Sequence, residues 1–201
     1  RYAAVADASR VDAAYWPLPL AVATAVAGNE SRGLAVYDAG AVADQFLAQQ
    51  KQLFGVQDVA SELVPHQVET DSLGMTHLRY QQEYQGVPVY GADAVVHLDA
   101  DGAVATANGR LVSGIALNTT PQVSSSVAAA LAEQLLRNDA VSQGLETATL
   151  EPQVTATTLY VYNRGIIEGY DEPVSHLVWQ VHVENDSPLM DEFFYVDART
   201  G

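Results

Sequence analysis

The stretch that decides the fold is residues 75–111, MTHLRYQQEYQGVPVYGADAVVHLDADGAVATANGRL. Its first part is rich in β-branched and aromatic residues until Gln85-Gly86 interrupts it, and Asp99–Gly102 has the composition of a tight turn. Connections this short join antiparallel neighbours, because a parallel crossover needs about a dozen residues. The stretch therefore predicts three consecutive antiparallel strands: Thr76–Tyr84, Val87–Leu98 and Ala103–Leu111.

The residues before this meander predict a helix and a further strand. Asp38 is a suitable N-cap for a helix over residues 40–54, and Gly55 is a suitable stop. The apolar stripe of that helix is predicted at Val42, Phe46, Leu47, Leu53 and Phe54. Ser61–Ser72 is predicted to be the first strand of the sheet, and a helix followed by such a meander is an α+β layer architecture. Within residues 1–37, Leu34–Tyr37 is a candidate strand after a turn at Gly28–Ser31.

The second half repeats this order. Residues 113–121 are loose and polar and predict a linker, which divides the chain into a segment of uncertain structure (1–37), a first domain (38–112) and a second domain (122–201). Ser124 is the expected N-cap of a helix over Ser125–Asn138, with Val127, Leu131 and Leu135 on its apolar face and Ala128 and Ala132 beside them. Three strands are predicted after it: Thr155–Tyr162, His176–Glu184 and Asp191–Asp197. Leu177, Trp179 and Val181 share one face of the middle strand and are predicted to be structural core.

The central stretch also resembles a known family. His77, Arg79, Gln81-Gln82 and Tyr84 precede the run 86–91, GVPVYG, and this order is similar to the core of the fungalysin/thermolysin propeptide (FTP) module. That module opens the pro-region of secreted zinc metalloproteases, whereas the alternative is a generic hairpin of another β-rich domain. On the resemblance, the candidates for contact with a partner are His77, Arg79, Gln81, Gln82, Tyr84, Gly86, Val87, Pro88, Val89 and Gly91.

The second half resembles a PepSY module, the usual companion of FTP in such precursors. The resemblance rests on the order of the helix start at Val123-Ser124 and three strand-like pieces: 159–162, 177–181 and 193–197. Together the two resemblances imply two cystatin-like helix-on-antiparallel-sheet domains in tandem. They further imply that the C-terminal strand leads towards the protease cleft: Phe193, Phe194, Tyr195, Val196 and Asp197. Because the linker expected after the ending at Gly201 is not in this sequence, we expect chaperoning to survive better than inhibition.

Composition excludes several classes of function. The 25 acidic residues outnumber nine basic ones, and a formal charge of −16 argues against nucleic-acid binding. The charge fits solubility, a basic partner or a saline habitat equally well. With no cysteine, disulfides and thiolate chemistry are ruled out. No apolar run is long enough for a membrane span, so no membrane partner is expected, and the apolar stretch Pro17–Gly28 lacks the basic flank of a retained signal peptide.

The sequence offers no catalytic constellation. None of the five histidines, His66, His77, His97, His176 and His182, has the partner four residues away that a His-Glu-x-x-His zinc helix requires. Residues 99–102, DADG, resemble the start of a calcium loop, but apolar residues follow where oxygen ligands are needed. We therefore expect no enzyme, no metal and no cofactor. His77 is either a partner contact or pH switch, or one more residue of a half-exposed strand.

Two functions from different classes follow. The resemblance implies a secreted, monomeric pro-region that acts as intramolecular chaperone and inhibitor of the catalytic domain of its own thermolysin-like zinc metalloprotease precursor. The alternative is a free-standing secreted binding or protease-inhibitor module that acts in trans, through a sheet edge that accepts an extended segment. An adhesin-like structural domain has the least support.

Overall fold

The computed structural model describes residues 38–145, 147–148, 150–168 and 174–201. The candidate elements at Gly28–Ser31 and Leu34–Tyr37 lie outside these residues. The elements in chain order are α1 (Ala39–Phe54), α2 (Val59–Glu62), β1 (Leu63–Thr70), β2 (Thr76–Tyr84), β3 (Val87–Leu98), β4 (Val104–Arg110), α3 (Ser125–Ser142), β5 (Gln153–Asn163), α4 (Arg164–Glu168), β6 (Ser175–Asp186) and β7 (Leu189–Asp197).

The predicted α+β class is confirmed, with strands that pair mostly antiparallel. The chain divides into two compact units. Unit 1 extends to Glu83 and resumes over Gly91–Gly114, and unit 2 comprises Tyr84–Tyr90 and Ile115–Gly201. Among the helices that the structure describes, none combines the length and apolar character needed to cross a membrane.

Helix α1 of unit 1 begins and ends where the sequence predicts. The Asp38 side chain accepts a hydrogen bond from the Ala41 N–H, and Gly55 ends the helix with φ 71°, a left-handed conformation that glycine adopts without strain. Phe46, Leu47 and Phe54 are buried, but the prediction for Leu53 is wrong, since its side chain is 42% exposed. Successive helical residues are about 100° apart, so Leu53 points away from the stripe that its neighbour Phe54 occupies.

The sheet of unit 1 has the order β1-β2-β3-β4. Strand β1 starts later than predicted, because residues 59–62 form the short helix α2, in which the Glu62 carboxylate accepts from the N–H groups of Gln57 and Asp58. In β2 the buried side chains alternate with more exposed ones, so one face of the strand belongs to the core. The Tyr80 hydroxyl on the buried face donates to Asp44 of α1 over 2.8 Å, which ties the helix to the sheet.

A buried glutamine secures the end of this sheet. Gln82 is 1% exposed. Its Nε2 donates to the Val112 carbonyl and its Oε1 accepts from the Val112 N–H, both over 2.8 Å. A primary amide can satisfy both backbone polar groups of one residue in this way, as a neighbouring strand would. The segment after β4 is thereby held beside β2.

Unit 2 packs α3 on one face of an antiparallel sheet, β5-β6-β7, and the first residues of β3 pair parallel to β5 through Val89 and Val161. The predicted helix start is confirmed, since the Ser124 hydroxyl accepts from the Val127 N–H. The predicted apolar face is confirmed at Ala128 and Ala132, with Leu131 partly buried against the same core, and is wrong at Val127 and Leu135. Val127 and Leu135 are 50% and 45% exposed, and the fully buried side chains of α3 are Ala128, Ala132, Leu136 and Ala140.

Small helix residues and large sheet residues fit together in the core of unit 2. The three buried alanines of α3 leave room for Trp179 and Phe194, which pack against the same cluster. Leu177 and Val181 are fully buried, and Trp179 is partly buried with its indole N–H donating to the Val123 carbonyl over 2.8 Å. A stripe of alanine thus brings the helix close to the sheet, and this explains why Val127 and Leu135 at neighbouring positions face outward.

We predict that Gln82→Leu lowers the free energy of unfolding by about 2–6 kcal/mol. The change leaves the N–H and carbonyl of Val112 without partners in a buried place, at about 1–3 kcal/mol each. Urea unfolding followed by circular dichroism measures the loss. Gln67→Ala, at an exposed position of β1, is the matched control and should stay within about 0.5 kcal/mol. Equal stability of the two variants would contradict the role given to Gln82.

Candidate functional site

The outward face of the unit 1 sheet carries most of the polar residues of the FTP-like motif. His77, Arg79 and Gln81 alternate with the buried positions of β2, and Asp93 and His97 do the same on β3. We call the surface formed by these five side chains the polar face. Because side chains two apart on a strand share a face, the motif spacing is what brings them together.

Two histidines of the polar face are in direct contact. The Nδ1 atoms of His77 and His97 are 2.6 Å apart, so one must donate and the other accept. The Nε2 of His77 lies 3.3 Å from Asp71 Oδ2, and the Nε2 of His97 lies 3.2 Å from the amide nitrogen of Asn108. Both rings cannot be protonated in this arrangement, because two N–H groups would then face each other. The four side chains form a chain of hydrogen bonds that requires at least one neutral imidazole.

The surroundings shift the pKa values of two ionisable groups in this series of hydrogen bonds, His97 and Asp71. Burial, with the nearby charges of His77 and Arg79, lowers the pKa of His97 below its ordinary value. For Asp71, partial desolvation acts to raise the pKa, but hydrogen bonds from the N–H groups of Met75 and Leu73 and from His77 outweigh it, and the pKa is lowered. The surroundings therefore favour neutral His97 and ionised Asp71.

An ion pair and a shallow cavity adjoin the histidines. The Arg79 guanidinium donates to the Asp93 carboxylate, and both side chains remain well exposed. Gln81 donates to the carbonyl of Ala92 over 2.9 Å. The cavity measures about 220 Å³ and is lined by His66, Arg79, Gln81, Gly91 and Asp93. This part of the polar face thus offers both charges and amide groups to a partner.

The other residues of the motif lie elsewhere. Gln82, Val87 and Val89 are buried, so their side chains contribute to the fold rather than to an exposed surface. Tyr84, Gly86 and Pro88 belong to the segment 84–90 of unit 2. In that segment Gln85 and Gly86 both have positive φ, 51° and 78°, as a two-residue type I′ hairpin turn requires. Gly91 follows with φ 69°.

The C-terminal strand divides its side chains between two faces. Val196 is buried and Phe194 packs on the unit 2 core, whereas Phe193 and Tyr195 lie on the opposite face, 52% and 39% exposed. The Asp197 carboxylate accepts from the N–H groups of Arg199 and Thr200 and so caps the last turn. Backbone hydrogen bonds outweigh its burial and lower the pKa of Asp197.

A group of four tyrosines on that opposite face was not found from the sequence. The Tyr90 ring lies 5.3 Å from Tyr160, 6.0 Å from Tyr162 and 5.5 Å from Tyr195, centroid to centroid. Burial and a hydrogen bond with Tyr90 raise the pKa of Tyr195 to about 12. The signal was present in the alternation of Tyr160 with Tyr162, but Tyr90 and Tyr195 join them only through strand pairing.

We predict that unit 1 loses stability as the pH falls below about 6.5. The folded state lowers the pKa of His97, so the unfolded chain takes up this proton first, and the stabilisation of the neutral form is lost from the unfolded value of about 6.5 downwards. Thermal unfolding between pH 7.5 and 5 measures the effect. His97→Gln should reduce this pH dependence, and His66→Gln, at an exposed position, should retain it. An unchanged profile in His97→Gln would contradict the prediction.

Comparison with known proteins gives this geometry a family context. Residues 61–111, which contain all of β1–β4, match the family model described as Fungalysin/Thermolysin Propeptide Motif. Thermolysin from Alicyclobacillus acidocaldarius subsp. acidocaldarius is 27% identical over 161 residues, 78% of this chain and 28% of that protein. Bacillolysin from Bacillus subtilis (strain 168) is 36% identical over 104 residues, 50% of this chain and 20% of that protein.

A third relative gives a similar picture. Thermostable neutral protease NprT from Geobacillus stearothermophilus is 27% identical over 138 residues, 66% of this chain and 23% of that protein. The chain spans less than a third of the length of each of these relatives. Residues 61–111 therefore match a fungalysin/thermolysin propeptide motif, within a chain that is similar to part of proteins named thermolysin and bacillolysin.

Proposed function

We propose that this chain is the pro-region of a secreted thermolysin-like zinc metalloprotease, and that it acts as intramolecular chaperone and inhibitor of the catalytic domain. The observation that carries the proposal is the propeptide motif over residues 61–111, because these residues form the whole four-stranded sheet of unit 1 and supply its polar face. The motif belongs to propeptides and not to catalytic domains. The partner is then the catalytic domain of the same precursor.

The chaperone activity has a simple thermodynamic basis. A surface that binds the native catalytic domain, but not its unfolded chain, stabilises the native state by mass action. If the same surface also binds the transition state for folding, it increases the folding rate. Continued binding after folding keeps the protease covered until processing removes the pro-region. One surface thus serves both folding and inhibition.

The polar face is the contact surface that the geometry supports best. Arg79 and Asp93 present opposite charges side by side, and both are exposed enough to pair with groups of a partner. The adjoining cavity accepts a small side chain among amide and charged groups. A second contact is proposed at β7, where Phe193 and Tyr195 expose aromatic area of the kind enriched in interfaces. The last part of β7, Phe193–Asp197, would direct the chain towards the protease cleft.

The proposal extends to the domain organisation. We propose that residues 38–112 are an FTP-like domain, 113–121 a linker and 122–201 a PepSY-like domain, both domains cystatin-like with a helix on an antiparallel sheet. The packing of α3 on β5, β6 and β7 supports this for the second domain. The hydrogen bond from Tyr80 to Asp44 supports the same arrangement of α1 in the first.

A free-standing module that inhibits a protease in trans is the second candidate. One observation favours it: β1 lies at the end of the strand order, and seven of its eight residues are exposed. An exposed edge of this kind can pair with an extended peptide segment. This mode of binding would use the backbone of β1 rather than the side chains of the polar face.

We predict that the chain increases the refolding yield of the denatured catalytic domain of its own precursor when both are mixed in trans. Peptidase activity after refolding, with and without an equimolar amount of the chain, measures the effect. Inhibition is titrated separately on the native catalytic domain. No gain in yield together with no detectable complex would contradict the pro-region and favour the free-standing module.

We further predict that Arg79→Ala reduces this gain while the chain stays folded. The change removes a charge from the polar face, and exposed substitutions usually alter stability by no more than about 0.5 kcal/mol. Lys51→Ala is the matched control, because it removes the same charge from an exposed position of α1. If both variants support refolding equally well, the polar face is not the contact surface.

A further inference from the structure

Three side chains that commonly bind metals meet on the unit 2 sheet, on the face opposite its core. His182 and Glu184 are two apart on β6, and Asp191 lies directly opposite Glu184 on β7. His182 Nε2 is 2.6 Å from Asp191 Oδ1 and 3.5 Å from Glu184 Oε1. One ligand atom from each residue lies within 4.8 Å of the other two. The cluster therefore gathers one nitrogen and two oxygen donors at a single point.

The imidazole of this cluster is held in place by neighbours outside it. His182 Nδ1 lies 2.8 Å from the Thr155 hydroxyl. The register of β5 against β6 shifts between Val154 and Ala156, so Thr155 is the bulged residue, and bulges characteristically redirect a side chain. The Phe193 ring stacks on the imidazole with centroids 4.2 Å apart and an interplanar angle of 8°. With Nδ1 and one ring face occupied, Nε2 is left to face the two carboxylates.

Two observations favour a metal ion at this cluster: the partner of the second ring nitrogen of His182, and the two carboxylates that face each other. A metal-binding histidine typically donates a hydrogen bond from the N–H of its second ring nitrogen to a group outside the site, and this bond fixes the tautomer. The Thr155 hydroxyl is placed to accept that hydrogen bond. Like charges directly opposite on paired strands are destabilising, and Glu184 faces Asp191 in this way. In the part of the chain that the structure describes, the ion pairs of both carboxylates run to His182. A divalent cation would offset both negative charges.

We propose that His182, Glu184 and Asp191 form a zinc-binding site with three protein ligands and one position open to solvent. Zinc accepts imidazole nitrogen together with carboxylate oxygen, whereas calcium and magnesium prefer oxygen donors alone. In a tetrahedral zinc site, two ligand atoms bound to the same ion lie roughly 3.3 Å from each other. The contact from His182 to Glu184 already has this length, and the contact to Asp191 must lengthen by about 0.7 Å. The Asp191 side chain is 66% exposed and can make this movement.

The site would fasten β6 to β7. Zinc that binds the folded hairpin, and not the unfolded chain, stabilises the fold in proportion to its occupancy. This inference does not depend on the proposed function, because it rests on unit 2 side chains and not on the polar face.

Zinc titration of the metal-free full chain by calorimetry tests the proposal, with Co²⁺ absorption as a second probe of the ligands. We expect one equivalent of zinc to bind and the melting temperature to rise. His182→Ala should abolish this binding, and Glu184→Gln and Asp191→Asn should each weaken it at least about tenfold. Thr155→Val should weaken it about 10–100-fold, the usual effect of removing an outer-shell partner.

Two matched controls separate a built site from diffuse attraction to an acidic chain. His66→Gln removes an exposed histidine of β1, and Glu192→Gln removes a carboxylate that neighbours Asp191 but lies outside the cluster. Both should bind zinc as the parent chain does. If no stoichiometric zinc binds, or if His182→Ala binds as tightly as the controls, the cluster is an ion pair of histidine with two carboxylates and the proposal is wrong.

Discussion

The two hydrogen bonds between the Gln82 side chain and the backbone of Val112 determine which side chains of the unit 1 sheet face the core. They require Gln82 to face the core, and strand alternation then requires Arg79 and Gln81 to face outward. A slip of one residue would reverse both faces, expose the amide and bury the Arg79 charge, at a cost of several kcal/mol. The polar pair in the motif, Gln81-Gln82, thus serves two different purposes: one amide holds the fold and the other belongs to the polar face.

The two units present different chemistry on their outward sheet faces. Unit 1 offers charges and imidazoles, with Arg79, one of only nine basic residues in a chain of net charge −16, at its centre. Unit 2 offers tyrosine and phenylalanine rings near an acidic cluster with one histidine. Two faces of unlike character suit a pro-region that must recognise its own catalytic domain, because opposite charges give specificity while aromatic area gives affinity.

Much of the fold could be predicted because its signals are local. The alternation in β2 and β3 and the capping residues Asp38 and Ser124 act within a few residues of themselves. The apolar face of α3 could be predicted only in part, since alanine contributes little to a hydrophobic pattern and its value lies in letting the sheet approach: Ala128 and Ala132 are expected beside the apolar stripe, but Ala140 is not. Alternation along β2 predicts that His77 and Arg79 share a face, but only the pairing of strands places His97 beside His77.

The His182 cluster was missed for a related reason: its third side chain, Asp191, comes from another strand, and Thr155, which contacts His182, comes from a bulge.

Photo-crosslinking can show whether the polar face contacts the catalytic domain, as we propose. A photoreactive amino acid replaces Gln67 in one variant, since Gln67 pairs with Arg79 across β1 and β2. In a second, control variant it replaces Gln49, which is exposed on α1. We predict that the variant with the photoreactive residue at position 67 forms a covalent adduct with the catalytic domain and that the variant at position 49 forms little of this adduct. Equal yields, or an adduct from position 49 alone, would contradict it.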